Sequence, residues 1–266
     1  MTTPRLESTA LPSDLADAIA GAAPRLGRLG TRVLFYPVAA STNDVAAAIA
    51  VEGAVVVADE QTAGRGRRGH TWFSPPGSGL YVSVVLQPGR ARPDADRATA
   101  VLTLAAGVGI AEGIAASTGL RVDLKWPNDL FAGRRKLGGI LAEADLPFVT
   151  LGYGINVSAV FPPSDIAARV TSLETELGRP IDRGLVLAET LAGLSRRYDD
   201  LLEGRVDAIL DAWRSLAPGA IGAPVSWAGP AGEQRGVTAG IDDRGALLVN
   251  AGGRIERIVA GELKWL

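Results

Sequence analysis

The sequence contains no cysteine and only one histidine, His70, in 266 residues. Without cysteine the chain has no disulfide, no thiolate metal ligand and no cysteine nucleophile. A single histidine also excludes a metal centre built from several histidines. Covalent catalysis therefore loses its usual candidates.

The sequence also has no large excess of positive or negative charge and no long uninterrupted apolar run. The formal net charge is −2, with 21% charged residues, so the chain has no excess of basic residues that would indicate nucleic-acid binding. The N-terminal segment carries acidic residues where a secretory signal would need a continuous apolar run. Residues 99–118 are apolar but interrupted by glycines, which predicts a buried helix. We expect a globular protein that acts in the cytoplasm.

Helix and strand patterns share the chain up to about residue 218, and short strands with glycine turns follow. The regular pattern breaks around residues 161–163. The spacing predicts helices at 13–27, 41–49, 94–117 and after 182, and strands at 32–36, 54–58, 80–86, 121–126, 136–143 and 148–156. From residue 219 the pattern predicts a small barrel of about five strands.

Gly64, Gly66 and Gly69 have the G-x-G-x-x-G spacing of a dinucleotide-binding turn. That motif requires the third glycine to begin a helix. Here residues 70–79 follow, with two consecutive prolines and two more glycines, and they cannot form the first turns of a helix. A P-loop is excluded as well, because no Gly-Lys-Ser or Gly-Lys-Thr follows. The stretch is therefore predicted to be a long loop between two strands.

The same loop carries Arg65, Arg67 and Arg68, followed by Trp72. Arginine offers planar, bidentate donors to carboxylate or phosphate, and the tryptophan ring offers a face for a base or a cation. The loop is thus suited to bind an anion. From the loop alone, a solvated basic hairpin explains the residues equally well.

Three further segments combine polar and small residues at predicted strand ends. Residues 125–129, Lys-Trp-Pro-Asn-Asp, end a predicted strand, where α/β sheets commonly bind ligands. Residues 136–143 begin with a lysine and two glycines that allow close approach of a ligand, and residues 152–157 include the polar Asn156. Each segment taken singly is also compatible with ordinary sheet packing.

Taken together and in this order, these segments resemble the biotin protein ligases, the family that attaches biotin to a lysine of a carrier protein. The matching segments are Ser-Thr-Asn at 41–43, GRGRRGHTW at 64–72, KWPNDL at 125–130, KLGGILAE at 136–143 and GYGINV at 152–157. The resemblance runs from about residue 30 to the C-terminus. It implies an α/β (α+β) fold with a mixed-sheet catalytic domain, residues 1–218, and a small SH3-like β-barrel, residues 219–266.

The resemblance also implies a two-step ligase reaction. Biotin and ATP give biotinoyl-5′-AMP and pyrophosphate, and a lysine of a biotin carboxyl carrier protein, or of a carrier domain in a biotin-dependent carboxylase, then attacks the mixed anhydride. Two unit charges about 4 Å apart repel by about 4 kcal/mol at an effective dielectric of about 20. Cations must therefore neutralise the approach of carboxylate to phosphate, and Arg67 and Lys125 are the catalytic candidates, with Mg²⁺ carried by the ATP phosphates.

By the same resemblance, one group of residues binds biotin and another binds the nucleotide. The biotin group is Ser41, Thr42, Asn43, Gln61, Gly64, Arg65, Arg67, Lys125, Gly139 and Gly154. The nucleotide group is Arg68, Trp72, Asn128 and Asn156. No residue is assigned with certainty as a metal ligand. The glycine-rich loop is expected to close over the adenylate and to exclude water.

Two departures and two alternatives accompany this interpretation. Only about 30 residues precede the first predicted strand, too few for the DNA-binding module of some family members, so we expect no DNA partner. The second departure is His70, to which we assign no role. A lipoate or octanoate ligase of the same fold is one alternative, although the polar residues 41–43 and Gln61 favour biotin; a nucleic-acid-binding module is the other. The oligomeric state is not predicted.

Overall fold

The computed structural model describes residues 8–160, 167–229, 232–261 and 263–266. The predicted break at 161–163 lies outside these residues. Within the described chain the helices are α1 (Ser13–Leu26), α2 (Thr42–Ile49), α3 (Ala95–Thr118), α4 (Leu173–Leu177), α5 (Arg183–Leu202) and α6 (Val206–Leu216). The strands are β1 (Arg32–Ala39), β2 (Ala54–Gln61), β3 (Gly79–Leu86), β4 (Asp123–Lys125), β5 (Asp129–Ala132), β6 (Arg135–Asp145), β7 (Phe148–Asn156), β8 (Ile221–Gly229), β9 (Gly232–Ile241), β10 (Leu247–Ala251), β11 (Arg254–Ile258) and β12 (Leu263–Trp265).

The first sheet has seven strands in the order β1-β2-β3-β7-β6-β5-β4. Strands β1 and β2 are parallel, and the remaining neighbours are antiparallel. The mixed sheet predicted for the α/β fold is confirmed. The sequence placed Lys125 at a ligand site because it ends a strand, but that reasoning was wrong. It holds for parallel strands, whose carboxyl ends meet at one edge of the sheet. Lys125 ends β4 of an antiparallel β4–β5 hairpin instead.

Helices α1, α3, α5 and α6 cover one face of this sheet, and α2 packs on the other face against β2, β3 and β7. Helices α3 and α5 approach so closely that a Cβ atom added at Gly109 would lie 2.6 Å from the carbonyl oxygen of Gly193. Helix α3 is long and apolar enough to cross a membrane, but 72% of its apolar window is buried in the protein. This supports the prediction of a buried core helix.

The second sheet is antiparallel, in the order β11-β10-β9-β8-β12. Its buried residues, such as Val225, Leu247 and Val249, belong to the same hydrophobic cluster as those of the first sheet. The indole N–H of Trp126 donates to the carbonyl oxygen of Gly245 at 2.9 Å. The arrangement fits the small SH3-like module that the resemblance implies. The domain boundary at residues 218 and 219 stays a prediction, although β8 begins close to it at Ile221.

Strand β5 and helices α4 and α6 were not predicted. Strand β5 has four residues and follows a cis Trp126–Pro127 bond directly, so its alternation is too short to recognise. Helix α6 buries Val206, Ile209, Leu210 and Trp213, a helical spacing that a closer reading of the sequence could have found.

Candidate active site

The candidate site is a cavity of about 450 Å³ on the face of the first sheet that carries α2. Alternation along β7 decides which residues face it. The hydroxyl of Tyr153 lies 3.1 Å from Thr190 of α5, on the helix-covered face. Its neighbours Gly152 and Gly154 therefore face the other way, toward Asn43 and Trp72. A cavity of this size is in the range that holds small-molecule ligands.

A polar network lies at the start of α2, where Thr42 and Asn43 are buried. Gln61 Oε1 accepts from the backbone N–H of Thr42 at 2.9 Å and lies 3.1 Å from its hydroxyl. The hydroxyl of Ser83 lies 2.7 Å from Thr42 Oγ1 and 2.6 Å from Asn43 Oδ1. Ser41 is the N-cap residue of α2, and its side chain makes no capping hydrogen bond. These contacts fix the cavity wall before any ligand binds.

Gln61 is nearly saturated within this wall. Its amide nitrogen donates to Ser74 at 3.0 Å, and both acceptor positions of its oxygen are used by Thr42. One amide hydrogen remains. The contact of Gln61 with a ligand stays a prediction, and its hydrogen bonds show that it also orients Thr42.

Arg65 is held outside the centre of the cavity by two carboxylates. Its guanidinium makes a bidentate pair with Asp44 at 2.7 and 2.8 Å and a further contact with Glu143 at 3.1 Å. The hydrogen bonds that Arg65 donates to Asp44 and Glu143 raise the pKa of Arg65, and the one to Asp44 lowers the pKa of that carboxyl group. Glu143 also accepts from Asn43 at 2.6 Å. Arg65 thus ties the glycine-rich loop to α2 and β6.

Gly64 does not line the cavity. A Cβ atom at this position would lie 2.5 Å from the carbonyl oxygen of Trp72 and 2.8 Å from Ser74 Oγ. Glycine is required at position 64 because the two sides of the loop are in direct contact there and leave no room for a side chain. Its predicted contact with biotin remains untested, and its visible role is in shaping the loop.

Arg67 reaches into the cavity, where its guanidinium donates to Asn128 Oδ1 at 3.3 Å. Asn128 in turn donates to the carbonyl oxygen of Ile140 at 2.8 Å, which anchors it to β6. Burial lowers the pKa of Arg67, with Arg68 acting in the same direction and Asp129 in the opposite one. Asn128 therefore orients a partly desolvated cation.

Arg68 also lines the cavity, in a left-handed backbone conformation with φ 56°. Its guanidinium lies 3.9 Å from the position that a Cβ atom at Gly261 would take. The loop and the second sheet therefore meet at the rim of the cavity. Asn156 lines the cavity too, and its amide donates to the carbonyl oxygen of Thr171 at 2.9 Å.

Lys125 lies in the cavity wall between two aromatic rings. Its ammonium nitrogen is 4.8 Å from the ring centroid of Phe131 and 5.0 Å from that of Trp265. Burial lowers the pKa of Lys125, whereas the charge of Asp129 raises it and that of Lys136 lowers it. Lys125 is thus a desolvated cation close to a second lysine.

Lys136 and Asp129 line the cavity and were missed as site residues. The ammonium of Lys136 pairs with Asp129 at 2.6 Å and lies 5.7 Å from the ring centroid of Trp72. A Cβ atom at Gly139 would lie 3.5 Å from Lys136 Nζ. Both residues stood inside quoted segments, at the start of 136–143 and the end of 125–129. The signal was therefore present, but only the fold shows that the two segments face each other.

Trp72 lies across the glycines of the cavity floor. A Cβ atom at Gly154 would be 2.5 Å from Trp72 Nε1, and one at Gly139 would be 3.5 Å from the same ring. The indole N–H is buried and has no hydrogen-bond partner among the described residues. Trp72 was predicted to bind adenine; in this structure its ring covers Gly139 and Gly154, both predicted to bind biotin.

The described residues contain no group of three or more His, Asp or Glu side chains placed to hold a metal ion. Asp129 is the one carboxylate in the part of the cavity lining that the structure describes, and it is paired with Lys136. Mg²⁺ commonly binds through one or two carboxylates together with substrate phosphates and several waters. The donor set fits an ion that arrives on a nucleotide.

Known proteins match this chain over most of its length. A profile described as the Biotin/lipoate A/B protein ligase family matches residues 35–155. The bifunctional ligase/repressor BirA of Bacillus spizizenii is 35% identical over 248 residues, which cover 89% of this chain and 74% of that protein. The biotin–[acetyl-CoA-carboxylase] ligase of Mycobacterium tuberculosis is 34% identical over 219 residues, covering 80% and 79%. The corresponding ligase of Paracoccus denitrificans is 32% identical, and the match covers 88% of that protein.

Solved structures show the same fold. The biotin protein ligase of Aquifex aeolicus, in complex with biotin and ATP, superposes with a TM-score of 0.77 at 29% identity. The match covers 89% of this chain and 99% of the Aquifex protein, so it includes both sheets.

Proposed function

This chain belongs to the biotin/lipoate A/B protein ligase family, and from that premise we propose that it is an ATP-dependent biotin protein ligase. Biotin and ATP are its substrates, biotinoyl-5′-AMP is its intermediate, and a carboxylase carrier protein receives the biotin. The acceptor is the lysine of a biotin carboxyl carrier domain, and the reaction takes place in the cytoplasm. The finer domain division at residues 218 and 219 is part of the same proposal.

The observation that carries the proposal is the convergence of Arg67, Lys125 and Lys136 on a glycine-floored cavity. In the first step a carboxylate oxygen of biotin bonds to the α-phosphorus of ATP, and the bond from that phosphorus to the pyrophosphate oxygen breaks. Both reactants are anions, and their repulsion of about 4 kcal/mol at about 4 Å must be offset. Partly desolvated cations held by neighbouring groups supply that electrostatic stabilisation without reorganisation during the reaction.

The second step also needs no enzyme nucleophile. The ε-amino group of the acceptor lysine attacks the acyl carbon of the anhydride, and AMP leaves with the bonding electron pair. The protein contributes binding, orientation and exclusion of water. Mg²⁺ bound to the ATP phosphates would supply further charge neutralisation, and Asp129, the carboxylate of the described cavity lining, is the residue that would help to hold it.

Each site residue has a proposed role. The network of Ser41, Thr42, Asn43 and Gln61 recognises the ureido ring, and Gly139 and Gly154 leave room for biotin. Arg68, Trp72, Asn128 and Asn156 form the nucleotide side of the cavity. Arg65 and Gly64 act through the loop, since Arg65 is paired with carboxylates and Gly64 is packed within the loop.

The polar wall around Thr42 favours biotin over lipoate or octanoate, because the acyl chains of those two acids carry no ureido group that could form hydrogen bonds with it. The nucleic-acid alternative is disfavoured because Arg65 and Lys136 are paired with carboxylates. Their charges are therefore partly neutralised, so that they do not extend a basic surface.

The test is exchange of labelled pyrophosphate into ATP with biotin, lipoate or octanoate as the only acid. Exchange is expected with biotin alone, and purified carrier domain should then become biotinylated. Arg67→Ala should reduce exchange at least a hundredfold, while Arg32→Ala, at an exposed arginine outside the cavity, should not. Exchange with lipoate alone, or with none of the acids, would refute the proposal.

A further inference from the structure

We propose that Trp265 in β12 is a positioning residue that, together with Phe131, fixes the ammonium group of Lys125 in the cavity. The second sheet then acts directly on the adenylation step. This inference rests on the proposed function for its kinetic consequence, although the placement itself can be tested without activity.

Two of the three lysines in the sequence, Lys125 and Lys136, line the cavity, and they are held in different ways. Lys136 is paired with Asp129 at 2.6 Å, so its charge is partly neutralised. Lys125 forms no carboxylate pair among the described residues and lies between the Phe131 and Trp265 rings. Both centroids are within the roughly 6 Å over which a ring attracts a cation.

The difference matters for an anionic substrate. A carboxylate partner must be displaced or screened before its lysine can bind a phosphate. Aromatic faces restrict the position of an ammonium group through their quadrupole and carry no net charge. Lys125 is therefore ordered without a carboxylate bonded to its ammonium group.

The second sheet is built to bring Trp265 to this place. Strand β12 pairs with β8, with Trp265 opposite Val225, and the backbone N–H of Leu266 donates to Pro224 at 3.0 Å. A Cβ atom at Gly219 would lie 2.8 Å from Trp265 Cζ3, so only glycine leaves room for the ring there. Trp265 itself lines the cavity.

The residue after Lys125 is held by the same sheet. The indole N–H of Trp126 donates to the carbonyl oxygen of Gly245, in the turn between β9 and β10, at 2.9 Å. Lys125, the last residue of β4, and Trp126, the first residue of the following turn, thus both make contacts with the second sheet. If the second sheet only held the first in place, the contact with Trp126 alone would be sufficient.

The kinetic test is a double-mutant cycle on biotin-dependent pyrophosphate exchange, with Trp265→Ala, Lys125→Ala and the double variant. We expect Trp265→Ala to lower kcat/KM for ATP about tenfold, equivalent to about 1.4 kcal/mol. In the Lys125→Ala background the same substitution should have no further effect. Trp265→Phe should restore most of the activity, because a phenylalanine ring also attracts a cation.

Trp227→Ala is the matched control. Trp227 lies in β8 of the same sheet and packs against the core, but it does not line the described cavity. Any loss it causes should be equal in both backgrounds. An additive loss for Trp265→Ala in the Lys125→Ala background would overturn the inference.

The placement is tested by NMR on lysine-labelled protein. The ring currents of Phe131 and Trp265 should move the ε-methylene signal of Lys125 upfield, and Trp265→Ala should move it back while leaving Lys136 unchanged. An unmoved Lys125 signal would overturn the inference whatever the activity. If the wild-type protein shows no biotin-dependent exchange, the proposed function fails, and this signal still decides the placement.

Discussion

Replacing Gly154 by alanine places a methyl group where the indole of Trp72 now lies. The added Cβ atom would be 2.5 Å from Trp72 Nε1, 2.6 Å from Cε2 and 2.9 Å from Cζ2. Ordinary contacts between carbon atoms are about 3.5 to 4.0 Å, so the ring must retreat by about 1 Å. The ring borders an open cavity and has space to do so, and the free energy of unfolding should therefore change little.

The cost of Gly154→Ala should appear in ligand binding. If biotin lies over Gly154, one added methyl group in its pocket should weaken binding by about 1 to 3 kcal/mol, or roughly 10- to 200-fold. Isothermal titration with biotin measures this directly. The indole N–H signal of Trp72 in a two-dimensional NMR spectrum should move at the same time.

Two matched variants separate the effects. At Gly139 the added Cβ atom would lie 3.5 Å from Trp72 and from Lys136, an ordinary contact. Gly139→Ala should therefore weaken biotin binding without moving the Trp72 signal much. Gly89→Ala, with nothing within 4 Å, should change neither. Wild-type affinity for biotin in Gly154→Ala would refute the assignment of this glycine to the pocket floor.

Three further results are expected. Burial lowers the pKa of Lys125, and its role requires the charged form, so the loss of kcat/KM for exchange with rising pH should have its midpoint below the ordinary lysine pKa of about 10.4. Lys125→Arg should move that midpoint to higher pH. A wild-type midpoint at or above about 10.4 would contradict the reasoning. Gly193→Ala places a Cβ atom 2.1 Å from the Gly109 carbonyl oxygen and should destabilise the fold by about 1 to 3 kcal/mol in urea denaturation, which an unchanged midpoint would disprove. Arg65→Gln should speed proteolysis of the glycine-rich loop while lowering the free energy of unfolding by less than about 1 kcal/mol, because the pairs with Asp44 and Glu143 are exposed; unchanged cleavage would show that they do not restrain the loop.

Periodicity predicted β1, β2, β3, β6 and β7 of the first sheet, because each has eight or more residues. The four-residue β5 was missed since so short a strand shows almost no alternation. The family resemblance assigned 14 residues to one site, and 13 of them line the cavity, Gly64 being the exception. That Gly139 leaves space for a ligand stays a prediction.

The sequence does not contain the pairings that decide what each charge is free to do. Arg65 looked like an anion-binding donor, but carboxylates from residues 21 and 78 positions away hold it. Lys136 and Asp129 are seven residues apart and meet across the β5–β6 hairpin. Lys125 and Trp265 lie in different sheets. Such contacts depend on which faces oppose one another, and the local pattern carries no information about that.

Trp72 combines an unpaired indole N–H with a position over the proposed biotin site. A buried N–H without a partner costs about 1 to 3 kcal/mol, and the Trp72 indole has none among the described residues. Its ring also lies over Gly139 and Gly154, where biotin is proposed to bind. If biotin binds over these glycines as proposed, it must displace the ring, and the indole N–H then leaves the buried position in which it has no partner. Arg65 ties the start of the loop to Asp44 through an exposed pair worth about 1 kcal/mol or less, so this contact opposes a movement of the loop only weakly.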